Sequence, residues 1–209
     1  MAVCPGAPFG PVAANLSKGD VPLAAGLMIL LSVTSVLMAP LLLYSIIHEF
    51  PQIGALKINY SSVIKGLLLF QLLPLLAALF FHKWKPGTAK KLVKPFERLT
   101  NFLVIVMMGY GIYSQFDRIK ELSLPALIGM FLLFFISLLL GWEFGGRGTA
   151  SRKTMALTSA IRNTGIGMVI AIENFAGTIA VGVVILWGLI MTVMGLLTII
   201  PFKRIENKY

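Results

Sequence analysis

Two stretches of this sequence combine residue types that an ordinary hydrophobic helix does not tolerate. They lie near opposite ends of the chain. The first is Cys4-Pro5-Gly6-Ala7-Pro8-Phe9-Gly10-Pro11. Three prolines and two glycines in eight residues cannot sustain a regular helix, because each proline lacks an N–H and clashes with the preceding turn. The second is Thr158-Ser159-Ala160-Ile161-Arg162-Asn163-Thr164-Gly165-Ile166-Gly167. It places hydroxyls, an amide, a guanidinium and two glycines inside an otherwise apolar run. The chemistry these residues offer is recognition. Arg162 supplies a fixed positive charge, and Thr158, Ser159, Asn163 and Thr164 supply hydrogen-bonding groups. Interrupted backbone around Gly6, Gly10 and Pro11 supplies free N–H and C=O groups. The plainer alternatives are that the prolines and glycines only kink packed helices, and that Arg162 forms a salt bridge or snorkels within the fold.

Bond-making chemistry finds little support. His48 and His82 are far apart, and there is no HExxH, no paired carboxylates in apolar runs and no Ser/His/Asp set. No Walker A motif occurs, so an energy source other than ATP is expected. The reading is of a non-enzyme with no metal site and no cofactor. The single cysteine, Cys4, excludes an internal disulfide and reads as a small packing residue. Gln71 and Asn101 read as interhelical hydrogen-bonding residues.

These residues must be positioned by helices in a bilayer. The 209 residues are 57% hydrophobic and 12% charged, with a mean hydropathy of +0.89. A soluble domain carries roughly twice that charged fraction. The apolar residues fall in blocks of the length a bilayer core requires, ~20 residues per helix. The pattern predicts a short broken helical segment at 6–17, a tight turn at Lys18-Gly19-Asp20, and spans at 21–47, 62–82, 99–116, 123–142, 150–175 and 177–201. Pro40 and Pro74 sit inside two of these spans. Residues 48–61 read as an interfacial loop, 83–98 as a basic loop, 117–121 as a short turn and 202–209 as a basic tail. Arginine at the bilayer centre costs ~2.5–3.5 kcal/mol even on lenient insertion scales. Arg162 is therefore expected to face a cavity, a partner or an anion. Glu173 lies ~16 Å further along a helix and is not an obvious partner.

The formal charge of +10 would fit a nucleic-acid partner, but the cations lie between the apolar blocks. They set orientation instead. Lys18, the six cations of 83–98, Arg147, Arg152, Lys153, Lys203, Arg204 and Lys208 fall on one side, thirteen of the eighteen. Lys57, Lys65, Arg118 and Lys120 fall on the other, and Arg162 lies within a span. That bias places the 83–98 loop and the C-terminus in the cytoplasm. The expected setting is a bacterial cell membrane crossed several times, with lipid and a small organic anion as partners, no nucleic acid, and oligomeric state open.

The two broken segments also carry a resemblance. CPGAPFGPVAANLSKGDVPLAAGLMILL, followed far downstream by TSAIRNTGIGMVIAIENF, resembles the bile acid:sodium symporter family and its bacterial relatives. The resemblance implies a ten-helix secondary transporter of two inverted five-helix repeats. A core domain with two broken helices that cross near the midplane would move against a panel domain. Paired interrupted helices of this kind mark a substrate site in such folds. On that mapping residues 1–47 are the end of the first repeat, namely the second part of helix four and helix five. Residues 62–209 are the second repeat. The fold class expected is thus all-α, a partial inverted-repeat membrane transporter that lacks about the first three helices. A truncated, non-transporting membrane protein or assembly module is the alternative.

The resemblance also implies a departure. Sodium-coupled members carry a Ser-Asn pair after the Cys-Pro-Gly, where this chain has Gly10 and Pro11. Two hydroxyl positions on helix five hold Ala24 and Met28, and a Glu and a Gln of the late broken helix are Thr158 and Arg162. A hard cation requires oxygen ligands. Transport without the conventional sodium sites is expected, with Arg162 standing in for a cation beside an anionic substrate.

Overall fold

Apolar runs set where helices form in this chain, and Pro, Gly and polar residues set where they stop. The computed structural model describes residues 9–49, 59–120, 122–175 and 178–207. Among these, every regular element is helical and there is no strand. The helices are α1 (Gly10–Leu16), α2 (Val21–Glu49), α3 (Tyr60–Leu67), α4 (Leu73–Trp84), α5 (Pro86–Lys120), α6 (Leu124–Glu143), α7 (Thr149–Ala160), α8 (Thr164–Asn174) and α9 (Ala180–Arg204). Among the described residues, four stretches are long and apolar enough to cross a membrane: Val21–Ser45, Val63–Trp84, Leu124–Glu143 and Ala180–Arg204. The chain is an all-α polytopic membrane protein.

Two expected spans take a different form. Residues 150–175 are two half-length helices, α7 and α8, separated at Ile161–Asn163. Residues 99–116 are the later part of α5, which runs without interruption from Pro86. The basic stretch 83–98 is therefore not a loop: α4 extends to Trp84, Lys85 joins the helices, and α5 follows at once. Lys, Arg, Leu and Ala are good helix formers, and Pro86 opens α5 where a missing N–H costs nothing. The turn expected at 117–121 is helical as far as Lys120. The interfacial loop begins later than expected, since α2 reaches Glu49; residues 50–58 lie outside the described residues. The tail likewise starts beyond Arg204.

Pro74 explains an irregularity in the second span. It has no N–H for the carbonyl of Phe70 and crowds that turn. The helix widens into a π-turn over Leu68–Leu72 just before it and then resumes as α4. A π-bulge of this kind lets the helix continue past the proline.

The helices run back and forth between two ends. At one end Lys18 turns the chain with φ 57°, its N–H donating to the Asn15 carbonyl at 3.1 Å. The Gly19 N–H donates to the Ala14 carbonyl at 2.7 Å. Gly19 is required here, because a Cβ would lie 2.6 Å from Thr154 Oγ1. Thr154 accepts from the Asp20 N–H at 2.7 Å, and the Asp20 carboxylate caps α2 by accepting from the Leu23 N–H at 2.9 Å. The tail meets the same end: buried Lys153 donates to the Ile205 carbonyl at 2.6 Å and to Asn207 Oδ1 at 2.9 Å. Asn207 in turn donates to the Lys18 carbonyl at 3.0 Å. At the other end the Asn59 N–H donates to Asn174 Oδ1 at 3.0 Å. The charge count had assigned Lys18, Lys153 and the tail to one side, and the structure gathers them at one end.

The interior holds two apolar clusters. The larger joins Ala13 of α1, Met130 and Phe134 of α6, Leu157 and Ala160 of α7, Ile161, and Trp187, Met191 and Ile199 of α9. The smaller joins Ala39, Val63, Leu67 and Ile166. Outward-facing apolar residues are abundant, with Phe80 and Ile105 each 70% exposed. That surface requires lipid rather than water around it.

Candidate functional site

The break between α7 and α8 is built by local sequence. Helix α7 ends at Ala160, and Ile161 turns to extended backbone with its N–H on the Leu157 carbonyl at 2.9 Å. Asn163 is the N-cap of α8: its side-chain oxygen accepts from the Ile166 N–H at 3.2 Å. Asparagine is among the strongest N-caps, worth ~1 kcal/mol over alanine. The Arg-Asn-Thr-Gly run thus stops one helix and starts another within three residues.

The break sits at mid-depth. With 1.5 Å per helical residue, it lies about 18–20 Å from either outer end of the α7–α8 pair. Its neighbour in α9 is also far from helix ends. The Arg162 N–H donates to the thioether sulfur of Met191 at 2.9 Å, in the middle of α9. The Arg162 guanidinium donates through Nη2 to the Ser137 hydroxyl at 3.0 Å. Ser137 is buried within α6. A hydrogen bond to a charged group is worth ~1.5–3 kcal/mol, so this bond offsets much of the cost of an arginine at this depth.

Thr158 lies one turn before the break and is 3% exposed, and its hydroxyl has no hydrogen-bond partner among the described residues. It faces α1. A Cβ on buried Gly10 would stand 3.7 Å from both Thr158 Oγ1 and Cγ2. Helix α1 then runs alongside α7 to the Gly19–Thr154 contact. Both α1 and α7 are thus half-helices that reach from one end of the molecule to its middle. The structure brings Gly10 and Thr158 together and places Arg162 against α6 and α9. Pro11 is half-buried in the first turn of α1, and Ser159 and Thr164 are half-buried beside the break. Gly6, with Cys4 and the rest of 1–8, lies outside the described residues, as do the side chains of Gln71 and Asn101.

Two further residues belong to this neighbourhood and were not singled out from the sequence. Ser137 sits in an unbroken apolar run, where one serine carries no signal. Trp187 is 1% exposed, packs in the cluster that holds Ala13, Leu157 and Ile161, and its indole N–H has no acceptor among the described residues. An unsatisfied buried donor or hydroxyl costs ~1–3 kcal/mol. Two of them around one break form a set of unused polar groups at mid-depth. Two open hollows lie away from the break. One of about 330 Å³ is lined by Val36, Pro40, Tyr44 and Tyr60, and one of about 520 Å³ by Leu69, Leu73 and Phe80. Both are apolar surfaces suited to lipid chains.

Half-helices that stop beside an arginine, within an all-α polytopic bundle, define a membrane protein with irregular backbone at depth, which only protein or a water-filled cavity can satisfy. A family model described as the sodium bile acid symporter family matches residues 1–122, and the chain belongs to that family. It is also similar to the probable sodium/metabolite cotransporter BASS1, chloroplastic, of Arabidopsis thaliana. The two are 24% identical over 175 residues, 82% of this chain and 42% of that protein. The chain thus spans well under two thirds of that relative's length.

Proposed function

We propose that this chain forms the substrate-binding part of a secondary transporter for a small organic anion, with Arg162 holding the anion at mid-depth. The observation that carries this reading is the Arg162 guanidinium at the α7–α8 break, bonded to the buried Ser137 of α6. The positive end of α8 starts two residues later and adds to the local potential. Asn163 shapes the break as N-cap, and Thr158, Ser159, Thr164 and Trp187 offer hydrogen-bonding groups around it. The backbone of Gly10 and Pro11 extends the site from the first broken segment, to which Gly6 is assigned on sequence alone.

Coupling does not use the conventional sodium sites. Gly10, Pro11, Ala24 and Met28 offer no side-chain oxygen, and Arg162 puts a positive charge where a cation would sit. The protein resides in a cell membrane with its C-terminus on the cytoplasmic side, as the charge bias favours. The test is uptake into proteoliposomes that carry the full chain, with a panel of aliphatic, aromatic and steroid carboxylates. Uptake of at least one anion persists when potassium replaces sodium. It falls at least tenfold in Arg162→Ala and partly recovers in Arg162→Lys, while Arg147→Ala leaves it unchanged. Strict sodium dependence would sink the coupling claim, and full uptake by a folded Arg162→Ala variant would remove the arginine from the mechanism.

A further inference from the structure

The most basic stretch of the chain plays no part in the site at the α7–α8 break. Lys85, Lys90, Lys91, Lys94 and Arg98 are all exposed, and so are Trp84, Leu92, Val93, Phe96 and Leu99. Successive helical residues are rotated by about 100°. Lys90, Lys91, Lys94 and Arg98 therefore share one arc of about 100° on α5. Leu92, Val93, Phe96 and Leu99 occupy an arc of about 120° on the opposite side. A charge cluster that only set orientation would need no such separation of faces.

Length and polarity add to this. The 35 residues of α5 extend about 52 Å, against a hydrocarbon core of about 30 Å. Its first four turns therefore lie outside the core when the apolar 99–116 part is within it. Pro95, inside the helix, allows a bend at that boundary. The cations also stand at the wrong end of the helix. The first turn holds no acidic residue, and positive charge near a helix N-terminus opposes the macrodipole. Glu97 is the single acidic residue of the stretch, which stays strongly basic. Lys85 lies over the Trp84 ring at 5.1 Å, a cation beside an aromatic of the kind found at membrane interfaces.

We infer that residues 84–98 form a membrane-surface arm that binds anionic phospholipid head groups. Leu92, Val93 and Phe96 enter the acyl boundary, and the lysines and Arg98 contact head-group phosphates. The arm ties α5 to the lipid surface and so sets how α5 sits against α9. This inference is independent of the transport reading.

The test uses the full chain in mixed micelles containing phosphatidylglycerol or phosphatidylcholine, with lipid retention read by native mass spectrometry. The wild type retains phosphatidylglycerol in preference, and the preference fades as salt rises to half molar. The quadruple variant K90Q/K91Q/K94Q/R98Q loses at least tenfold in that preference, since each cation near an anionic surface contributes about fivefold. K203Q/R204Q, which removes two cations at the same end, keeps it. Phe96→Ser lowers retention while leaving the charges in place. These residues are exposed, so unchanged thermal unfolding in every variant is part of the expected result. Equal retention of both lipids by the wild type, or an unaltered quadruple variant, overturns the inference. Competition by millimolar inorganic phosphate overturns it too, because a free-anion site would then account for the binding.

Discussion

Single residues around the break carry unequal parts of the argument. Arg162 and Asn163 were legible because charge and amide are rare inside apolar runs, where each costs free energy. Their roles then separated. Asn163 caps a helix, and Arg162 reaches across to Ser137. Ser137 and Trp187 were not legible, since a serine or tryptophan in an apolar helix is compatible with simple packing. Thr158 offers the sharpest residue-level experiment. Its hydroxyl is buried without a partner, so Thr158→Val removes an unsatisfied group at nearly constant volume. Thermal stability in detergent is expected to hold or to rise by up to ~1 kcal/mol. Anion uptake is expected to fall severalfold, the signature of a group kept for a ligand. A fall in both measures would mark Thr158 as structural. Ser137→Ala complements it: the guanidinium loses one fixed contact, and KM is expected to rise several-fold with little change in maximal rate.

At the level of elements, the closest approach is that of α6 and α7. A Cβ on Gly141 would lie 2.5 Å from the Met155 carbonyl and 2.6 Å from Ala156 Cα, so backbone meets backbone. Small residues permit such contact between helices in a membrane, where close packing replaces the hydrophobic drive. Gly141→Ala is expected to destabilise by ~1–3 kcal/mol, read as a lower unfolding temperature in detergent. Gly129→Ala on the same helix meets nothing within 4 Å and is expected to be neutral or slightly stabilising. Equal effects from the two would refute the packing argument. Glycines are individually ambiguous in sequence: Gly111 closes on Ile185, whereas Gly109, two residues earlier on the same helix, has open space around it. Lys153 shows a similar ambiguity. The charge count grouped it with the tail, but its burial was invisible, because the two groups that accept from it lie in that tail. Lys153→Met keeps the volume and removes the donors. Global stability is expected to change by less than ~1 kcal/mol, while carboxypeptidase removes the tail about tenfold faster or more, matching the loss of charged hydrogen bonds worth ~1.5–3 kcal/mol. Undiminished protection of the tail would show that Asn207 and Lys18 hold it alone.

Across the whole molecule, the main inference from sequence was the path of the chain through the bilayer. Apolar block length and cation placement are redundant signals, and one missed span would have reversed every later assignment. The blocks at 21–47, 62–82, 123–142 and 177–201 became helices long enough to span, and polar punctuation placed their ends to within a few residues. The stretch at 83–98 failed as a loop because positive charge signals a membrane boundary and carries no information on helicity. The path itself makes a prediction that no single contact does. Glu206 and Lys90 lie toward the Lys18–Lys153–tail end, and Asn59 and Ser123 toward the Asn59–Asn174 end, by the order in which α2 to α9 traverse. All four are exposed. Cysteines placed singly at these positions in a Cys4→Ser background should react with a membrane-impermeant maleimide from opposite faces of the bilayer. In whole cells the reagent should reach the Asn59→Cys and Ser123→Cys variants. The Glu206→Cys and Lys90→Cys variants should label only after the membrane is opened, because their end carries the excess of cations. Labelling of Ser123→Cys from the same face as Lys90→Cys would show that α5 does not cross, and would remove the surface arm along with it. Labelling of both pairs on the reverse faces would preserve the fold and invert its orientation, leaving the Arg162 site at the same depth but approached from the other side.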